Sequence, residues 1–291
     1  MARGLDHIVH AVRDLDAAAD LYRRLGFTVG ARNRHQWGTH NHIVQMPGFF
    51  IELLTFAEPD KLGDDDFSRL FAAYNRDFIA RAEGFSLLIL ESRDARADET
   101  AFRSGSIAGS EAMTFERESR RPDGSAAKVG FSLAFAEDRA APDIHFATCQ
   151  QHYPENFWNQ AFQRHGNGVV AVAGVVAVAE EPARHRKFFE SFSGGQAEAV
   201  EGGFAVALPR GAVDVVTPAA FLHRFGVRAP ETGGGARLAA LRLTVADASL
   251  LHAVPELAGL GGLYAGDATV IGSEDAMGAV LIFEPAAVKS R

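Results

Sequence analysis

The sequence predicts an α+β fold made of four copies of a β-α-β-β-β unit. An apolar, β-branched stretch at residues 5–12 precedes apolar residues at helical spacing in 15–25, and three more strand-like stretches follow. The same order begins again near residues 84, 170 and 238. At 291 residues the chain is also long enough for two domains.

Local signals set the limits of the first unit. Asp14 is expected to cap its helix, and Gly26 is expected to end the helix in a left-handed conformation. Pro47 and Gly48 predict a tight turn between the last two strands. The three strands after the helix are predicted at 27–29, 42–45 and 49–56.

The later units are predicted from the same kinds of signal. The second unit is expected to contain strand 85–91, helix 94–104, a hairpin of 114–119 and 129–135 turning at residues 121–124, and strand 146–151. The third is expected to contain strand 170–180, helix 182–192, and strands 203–209 and 212–217; the fourth, strand 238–245, helix 248–257, and strands 268–272 and 279–284. Residues 59–81 are predicted to form a helical connector between the first and second units.

Composition excludes several classes of function. A formal net charge of −8 argues against nucleic acid or an anionic membrane as the main partner, because phosphate binding needs clustered Lys and Arg. Cys149 is the only cysteine, so an intramolecular disulfide is excluded. No apolar run reaches the length of a membrane span, and the first residues lack the pattern of a signal peptide. We therefore expect a cytoplasmic protein that does not enter membranes.

Four segments carry a resemblance to a known family: LDHIVHAVRDLDAA, LGF, GTHN and FIELL. The sequence resembles the vicinal-oxygen-chelate superfamily of glyoxalases, bleomycin-resistance proteins and extradiol dioxygenases, and is most similar to its glyoxalase-like domain proteins. The resemblance implies that the four modules pair into two open-barrel glyoxalase-like domains, with pairing of the first and fourth modules as an alternative. The domains are expected at 1–150, which would hold a metal site, and at 168–291, which would be degenerate, with a linker at 151–167.

The resemblance also implies a divalent metal, Fe, Mn, Zn or Ni, held by His7 and Glu52. The residues themselves agree, because Glu52 stands in an apolar strand where an unpaired carboxylate is costly. In the alternative interpretation, His7 is a core histidine and Glu52 pairs with an arginine. Strand alternation places His7 on the face of Leu5, Val9 and Ala11, with Ile8, His10 and Val12 opposite.

The third ligand is expected in the last strand of the second unit. Aligning FFIELLTF with FATCQQHY places Cys149 opposite Glu52, and Gln151 or His152 could then complete the site. Ser86 stands near the position that matches His7. Cys149 could instead be a nucleophile, although buried structural cysteines are commoner.

A second group of residues is predicted to bind the substrate. His35, Thr39 and Asn41 match the glyoxalase-like pattern, and Asn41 could orient a substrate carbonyl or hold Glu52. These side chains could equally satisfy the backbone of their own loop. Cys149 and the aromatic segment around Trp158 are expected to contribute to the walls of the site.

Together these features predict a metal-dependent small-molecule enzyme of the lyase, isomerase or dioxygenase type, with His7 and Glu52 as its catalytic residues. The metal is expected to bind two neighbouring oxygens of the substrate. The alternative is a metal-free protein that sequesters a small molecule, as bleomycin-resistance proteins do. A third hypothesis is that the C-terminal half is an interaction module, and a homodimer is also expected.

Overall fold

The structure, a computed structural model, describes residues 2–120, 125–233, 235–254 and 263–286. The strands in these ranges are β1 (Leu5–Ala11), β2 (Asn33–Arg34), β3 (Thr39–Met46), β4 (Phe49–Phe56), β5 (Gly84–Glu91), β6 (Met113–Arg120), β7 (Ala126–Ala136), β8 (His145–Gln151), β9 (Val169–Ala179), β10 (Ala197–Val200), β11 (Gly203–Ala207), β12 (Ala212–Val216), β13 (Ala236–Val245), β14 (Leu263–Ala265), β15 (Ala268–Ile271) and β16 (Val280–Pro285). The α-helices are α1 (Leu15–Arg24), α2 (Tyr74–Arg81), α3 (Ala95–Ser104), α4 (Pro154–Phe157), α5 (Arg186–Ser193), α6 (Pro218–Phe225) and α7 (Ser249–His252). None of the helices in the described ranges is long and apolar enough to cross a lipid bilayer.

The first unit forms as its local signals predict, except at its second strand. The Asp14 carboxylate accepts a hydrogen bond from the Ala17 amide at the start of α1, and Gly26 follows the helix with φ +84°. The strand predicted at 27–29 is wrong, and β2 lies further along the chain. The backbone amides of Phe27 and Thr28 bond to the Tyr22 carbonyl and the His165 ring instead of a neighbouring strand. Residues 27–29 therefore anchor the end of α1.

The later units contain elements that periodicity did not predict. The short strand β10 precedes β11, and the amphipathic helix α6 follows β12. The connector before β5 is helical as predicted, with a π-helical segment at Ser68–Ala73 leading into α2. The helix predicted at 248–257 is shorter: α7 spans four residues, residues 253 and 254 follow it outside the helix, and residues 255–257 lie outside the described ranges. The turn predicted at residues 121–124 also lies outside them.

The strands form one large mixed sheet that is not closed. β1 runs parallel to β4 and antiparallel to β5, and β5 runs parallel to β8. The C-terminal part repeats this arrangement, with β9 parallel to β12 and antiparallel to β13, and β13 parallel to β16. A single pair, Leu238 with Phe85, joins β13 to β5. The predicted α+β class is confirmed.

The main hydrophobic core lies on the helix-bearing face of the sheet. It contains Ile8 of β1 and Val175 of β9 together with Tyr22, Phe102 and Phe189 from three helices. Burying side chains of this size supplies roughly 1.5–3 kcal/mol each. Because both ends of the sheet contribute to one core, the helices hold the N- and C-terminal strands together.

The opposite face of the sheet carries two smaller clusters. We call the face of β1–β8 that carries Val9, Leu87 and Cys149 the N-terminal cup. The C-terminal cup is the face of β9–β16 that carries Val176 and Ile282. Helix α6 packs Phe221 and Phe225 into the C-terminal cup.

Candidate functional site

A β-bulge in β1 places two neighbouring side chains on the N-terminal cup. Leu5 pairs with Leu90 and His7 with Ile89, so Asp6 has no partner on β5. Leu5 packs in the main core on the other face, together with Ile8. The predicted sharing of one face by Leu5 and His7 is therefore wrong, because the bulge breaks the alternation.

His7 is held in one orientation by a buried acid. Its Nδ1 lies 2.5 Å from Asp6 Oδ1, and its ring stacks on Phe50 at a centroid distance of 4.2 Å. The Gln151 amide donates to the other oxygen of Asp6 over 3.0 Å. With Nδ1 donating to Asp6, Nε2 is the nitrogen left to face a ligand, and within the described residues it has no hydrogen-bond partner. A carboxylate behind a histidine is a common way to orient a metal ligand.

Glu52 lies beside His7 on the adjacent strand. Its Cα pairs with that of Val9, and its side chain is buried on the cup face. Burial raises the pKa of Glu52, while the nearby His7 and a hydrogen bond from Asn41 act in the opposite direction. The carboxyl therefore holds a proton more readily than an exposed glutamate does.

A network of polar side chains supports Glu52 from β3. Asn41 Nδ2 donates to Glu52 Oε1 over 2.5 Å and lies 3.4 Å from His35 Nε2. His35 Nδ1 lies 2.8 Å from Thr39 Oγ1. Burial, followed by the charge of Arg117, lowers the pKa of His35 to about 3, so the ring is neutral. Of the two alternatives for Asn41, the structure shows it holding Glu52, with His35 and Thr39 behind it.

The last strand of the second unit, β8, contributes Cys149 rather than His152 to the cavity. Cys149 Sγ and ligand atoms of Asp6 and His7 all lie within 4.8 Å of one another. His152 Nε2 instead contacts Ser132 Oγ over 2.8 Å, and His152 lies outside the described cavity wall. Gln151 reaches the site only through Asp6, and its buried Oε1 has no partner in the described part of the chain. Burial raises the pKa of the Cys149 thiol well above its usual range, which disfavours a free thiolate nucleophile.

The donors at this site fit a transition metal by their chemistry. An imidazole nitrogen, carboxylate oxygens and a thiol sulfur converge on one cavity, and this mixture is typical of Zn and Fe sites. The orphaned Gln151 Oε1 adds a further unused acceptor beside Asp6. Asp6 was not predicted, because strand alternation assigned it to the face opposite His7.

The cavity in front of these residues is small and largely aromatic. Its volume is about 110 Å³, and a buried water needs roughly 10–15 Å³, so a small organic molecule fits. Its aromatic walls are Trp37, Phe50, Phe67, Phe71, Phe115 and Phe131. Trp158 lies behind this wall, 6.0 Å from the Phe50 ring and 5.0 Å from Phe157, which does line the cavity.

One cation faces the same cavity. Arg117 lies on β6, paired with Val129, two residues beyond Phe115 on the same face. It is half-buried, and burial lowers its pKa. We did not predict Arg117 because the sequence stretch around it is polar and mixed; its alternation with Met113 and Phe115 is the signal that could have identified it.

Comparisons with known proteins agree with this architecture. Residues 5–192 match the family described as the glyoxalase-like domain. Three solved structures are similar in fold, at 12–15% identity. A hypothetical protein from Staphylococcus aureus has a TM-score of 0.68 and 15% identity, with 97% of this chain and 99% of that chain covered. None of the curated proteins matches the sequence.

The other two structures have names that refer to enzymes. A triple mutant of 4-hydroxymandelate synthase from Streptomyces coelicolor has a TM-score of 0.55 and 14% identity, with 98% of this chain and 92% of that chain covered. A xylose isomerase-like TIM barrel/4-hydroxyphenylpyruvate dioxygenase fusion protein also has a TM-score of 0.55, at 12% identity; all of this chain matches half of that one. Identities this low show the fold alone. With the family match over most of its length, the chain belongs to the glyoxalase-like domain family.

Proposed function

We propose that the chain is a metal-dependent enzyme that acts on a small molecule through two neighbouring oxygens. The observation that carries this proposal is the arrangement of His7, whose Nδ1 is bonded to buried Asp6 while the ring faces a cavity shared with Glu52 and Cys149. An oriented imidazole beside a buried carboxylate is typical of a metal centre with open positions.

His7 and Glu52 would hold the ion, and Cys149 or Asp6 would supply the third donor. Gln151 then acts by orienting Asp6, and His152 has no part in the site. A bound divalent metal supplies Lewis-acid chemistry that polarises the substrate oxygens. Fe, Mn, Zn and Ni all suit this donor set.

Glu52 is also the residue proposed to move a proton. Its carboxylate lines the cavity beside His7, and a carboxylate within reach of the substrate can act as a general base when it is not bound to the metal. Asn41 holds Oε1, so the other oxygen is the one that exchanges the proton. Proton transfer at a carbon next to a polarised carbonyl is the isomerase or lyase type of reaction. The dioxygenase type is the alternative, in line with the names of two structural neighbours.

The cavity also supports a second candidate function, sequestration of a small molecule without metal. Asp6 bonds to His7 Nδ1 and to Gln151, so both groups have partners without a metal, and the walls are largely aromatic. In that case His7 and Glu52 are structural polar residues. Metal uptake separates the two functions.

The test is elemental analysis of the purified protein beside His7→Ala, Glu52→Gln and His152→Ala. We expect about one equivalent of a transition metal in the wild type and in His152→Ala, and loss of metal in the other two variants. His152 is the matched control because the resemblance suggested it as a ligand and its ring instead contacts Ser132. A wild-type protein that takes up no metal on titration would contradict the enzyme proposal and favour sequestration.

We further propose that the four units pair into two domains, at 1–150 and 168–291, and that residues 151–167 link the two domains. The neighbouring positions of β1 and β5, and of β9 and β13, support this pairing. A homodimer, a cytoplasmic location and an interaction role for the C-terminal half stay predictions of the sequence.

A further inference from the structure

Arg117 is a cation without a partner in an aromatic wall. In the described part of the chain, its guanidinium makes no ion pair and no hydrogen bond, and the lowering of its pKa has no cause other than burial. Arg242, by contrast, is paired: its guanidinium donates hydrogen bonds to the carboxylates of Glu284 and Asp214. A guanidinium in the cavity wall without a counter-charge from the described residues is available to pair with an anion that is not part of this chain.

The acids of the metal site do not fill this role. Neither Glu52 nor Asp6 contributes to the pKa of Arg117, and Arg117 does not contribute to that of Glu52. Glu116 lies next to Arg117 in β6, where side chains alternate between faces, and it accepts a hydrogen bond from Tyr153. The charge of Arg117 instead contributes to the lowered pKa of His35, whose ring is neutral. Within the described residues, none of these three acids forms an ion pair or a hydrogen bond with Arg117.

A second unused donor lies in the same wall. The Trp37 Nε1–H is buried and has no acceptor among the described residues. The Trp37 ring packs edge-on against Phe115 at 5.0 Å, and Phe115 shares the strand face of Arg117. Buried N–H groups without a partner are rare, so this donor also points to an acceptor supplied from outside.

We propose that Arg117 binds the carboxylate of a flat, small aromatic acid whose other end reaches His7 and Glu52. A guanidinium matches a carboxylate through two parallel hydrogen bonds, and the aromatic walls suit a flat apolar body. The position of the reacting end rests on the proposed function, whereas recognition of the carboxylate does not require the metal.

The experiment measures binding of benzoate, phenylacetate and phenylpropanoate, each beside its neutral amide, by calorimetry on metal-stripped protein. We expect at least one acid to bind more tightly than its amide. Arg117→Met is expected to weaken binding of that acid ten- to a hundredfold and to leave the amide unchanged. Arg117→Lys should fall in between, because it keeps the charge but loses the paired geometry. Arg96→Met, an exposed arginine on α3, is the matched control and should bind as the wild type does.

Thermal unfolding supplies a second measurement. Removing a charge that has no partner should leave the melting temperature of Arg117→Met equal to or above that of the wild type. A lower melting temperature would mean that Arg117 has a structural partner and would overturn the proposal. So would acids that bind no better than their amides, or equally well to wild type and Arg117→Met. Metal uptake is scored separately, so a metal-free protein that still prefers the acid contradicts only the enzyme proposal.

Discussion

The two cups of the sheet share a topology and differ in what occupies them. In the N-terminal cup, Glu52 pairs in register with Val9 and faces a cavity. In the C-terminal cup, Asp214 pairs in register with Val176, but Phe221 of α6 packs into the cluster. The same strand arrangement thus carries an open cavity with polar and aromatic walls at one end and a face covered by a helix at the other.

The acids of the two cups are satisfied in different ways. Asp214 bonds to Arg224 and Arg242, and Arg242 also bonds to both oxygens of Glu284. Glu52 bonds to neutral Asn41 and lies near His7. The Asp214 carboxylate is thus paired with two cations, whereas the Glu52 carboxylate has an uncharged hydrogen-bond donor and faces a cavity. Four predictions follow this contrast.

The largest expected effect is the loss of stability on removing an aromatic side chain from the C-terminal cup. Phe221→Ala removes a fully buried ring from the C-terminal cup and should lower the free energy of unfolding by about 3–5 kcal/mol. The matched variant Phe71→Ala should cost less, because Phe71 already borders the cavity and lacks neighbours on that side. Denaturant unfolding measures both losses. Equal losses would mean that the N-terminal cup is as closely packed as the C-terminal one.

A second stability loss is expected from breaking the ion network. Arg242→Met leaves Glu284 unpaired and buried Asp214 with one arginine, so a loss of about 3 kcal/mol is expected. Arg224→Met is the control, since half of Arg224 is exposed and Asp214 keeps Arg242; its cost should stay below about 1 kcal/mol. Denaturant unfolding of the two variants measures both losses in stability. Two equal, small losses would show that the network contributes little.

Sensitivity to acid is expected in the N-terminal half, where burial lowers the pKa values of His10, His35 and His145; of these, His10 is the most deeply buried. Burial lowers the pKa of His10 to about 4, although its ring bonds to Tyr22 and to the Met277 carbonyl. The unfolded chain therefore takes up this proton first as the pH falls below 6.5.

The contribution of His10 to stability is thus complete above pH 6.5 and is lost between 6.5 and 4, by at most about 3 kcal/mol. Below pH 4 the histidine is protonated in both states and the loss stops growing. Unfolding free energies measured across this range should fall less steeply in His10→Gln than in the wild type. Identical slopes would show that His10 is protonated when folded.

The smallest effect concerns the support of Glu52. Asn41→Ala removes the hydrogen bond to Oε1, and loss of such a supporting residue should weaken metal binding about 10- to 100-fold. The change corresponds to about 1.4–2.8 kcal/mol and is measured by competition with a chelator. Thr148→Val is the control, because Thr148 Oγ1 is buried without a partner among the described residues. Unchanged affinity in Asn41→Ala would remove Glu52 from the metal site.

Several elements followed from local chemistry and were predicted well. Asp14 caps α1, Gly26 ends it, and Pro47 with Gly48 turns β3 into β4. These signals depend on side chains a few residues apart, so the sequence contains them in full. The strand predicted at 27–29 was wrong because its backbone amides bond to α1 and to His165, a partner far along the chain.

The structure brings together part of the residue set that the sequence singled out. His7, Glu52, His35, Asn41 and Cys149 all line one cavity, and Thr39 supports them. Trp158 lies behind the wall, and Gln151 reaches His7 only through Asp6. The roles assigned to these residues stay predictions until metal and substrate binding are measured.

The sequence by itself determined the α+β class and most elements of the first unit, and it singled out His7 and Glu52, which line one cavity. Periodicity and capping are local, and a carboxylate in an apolar strand is conspicuous without coordinates. Only the tertiary structure decided that Asp6 joins His7, that His152 turns to Ser132, and that α6 fills the second cup. A bulge, a ring orientation and a filled cavity depend on contacts between residues distant in sequence, which no local pattern records.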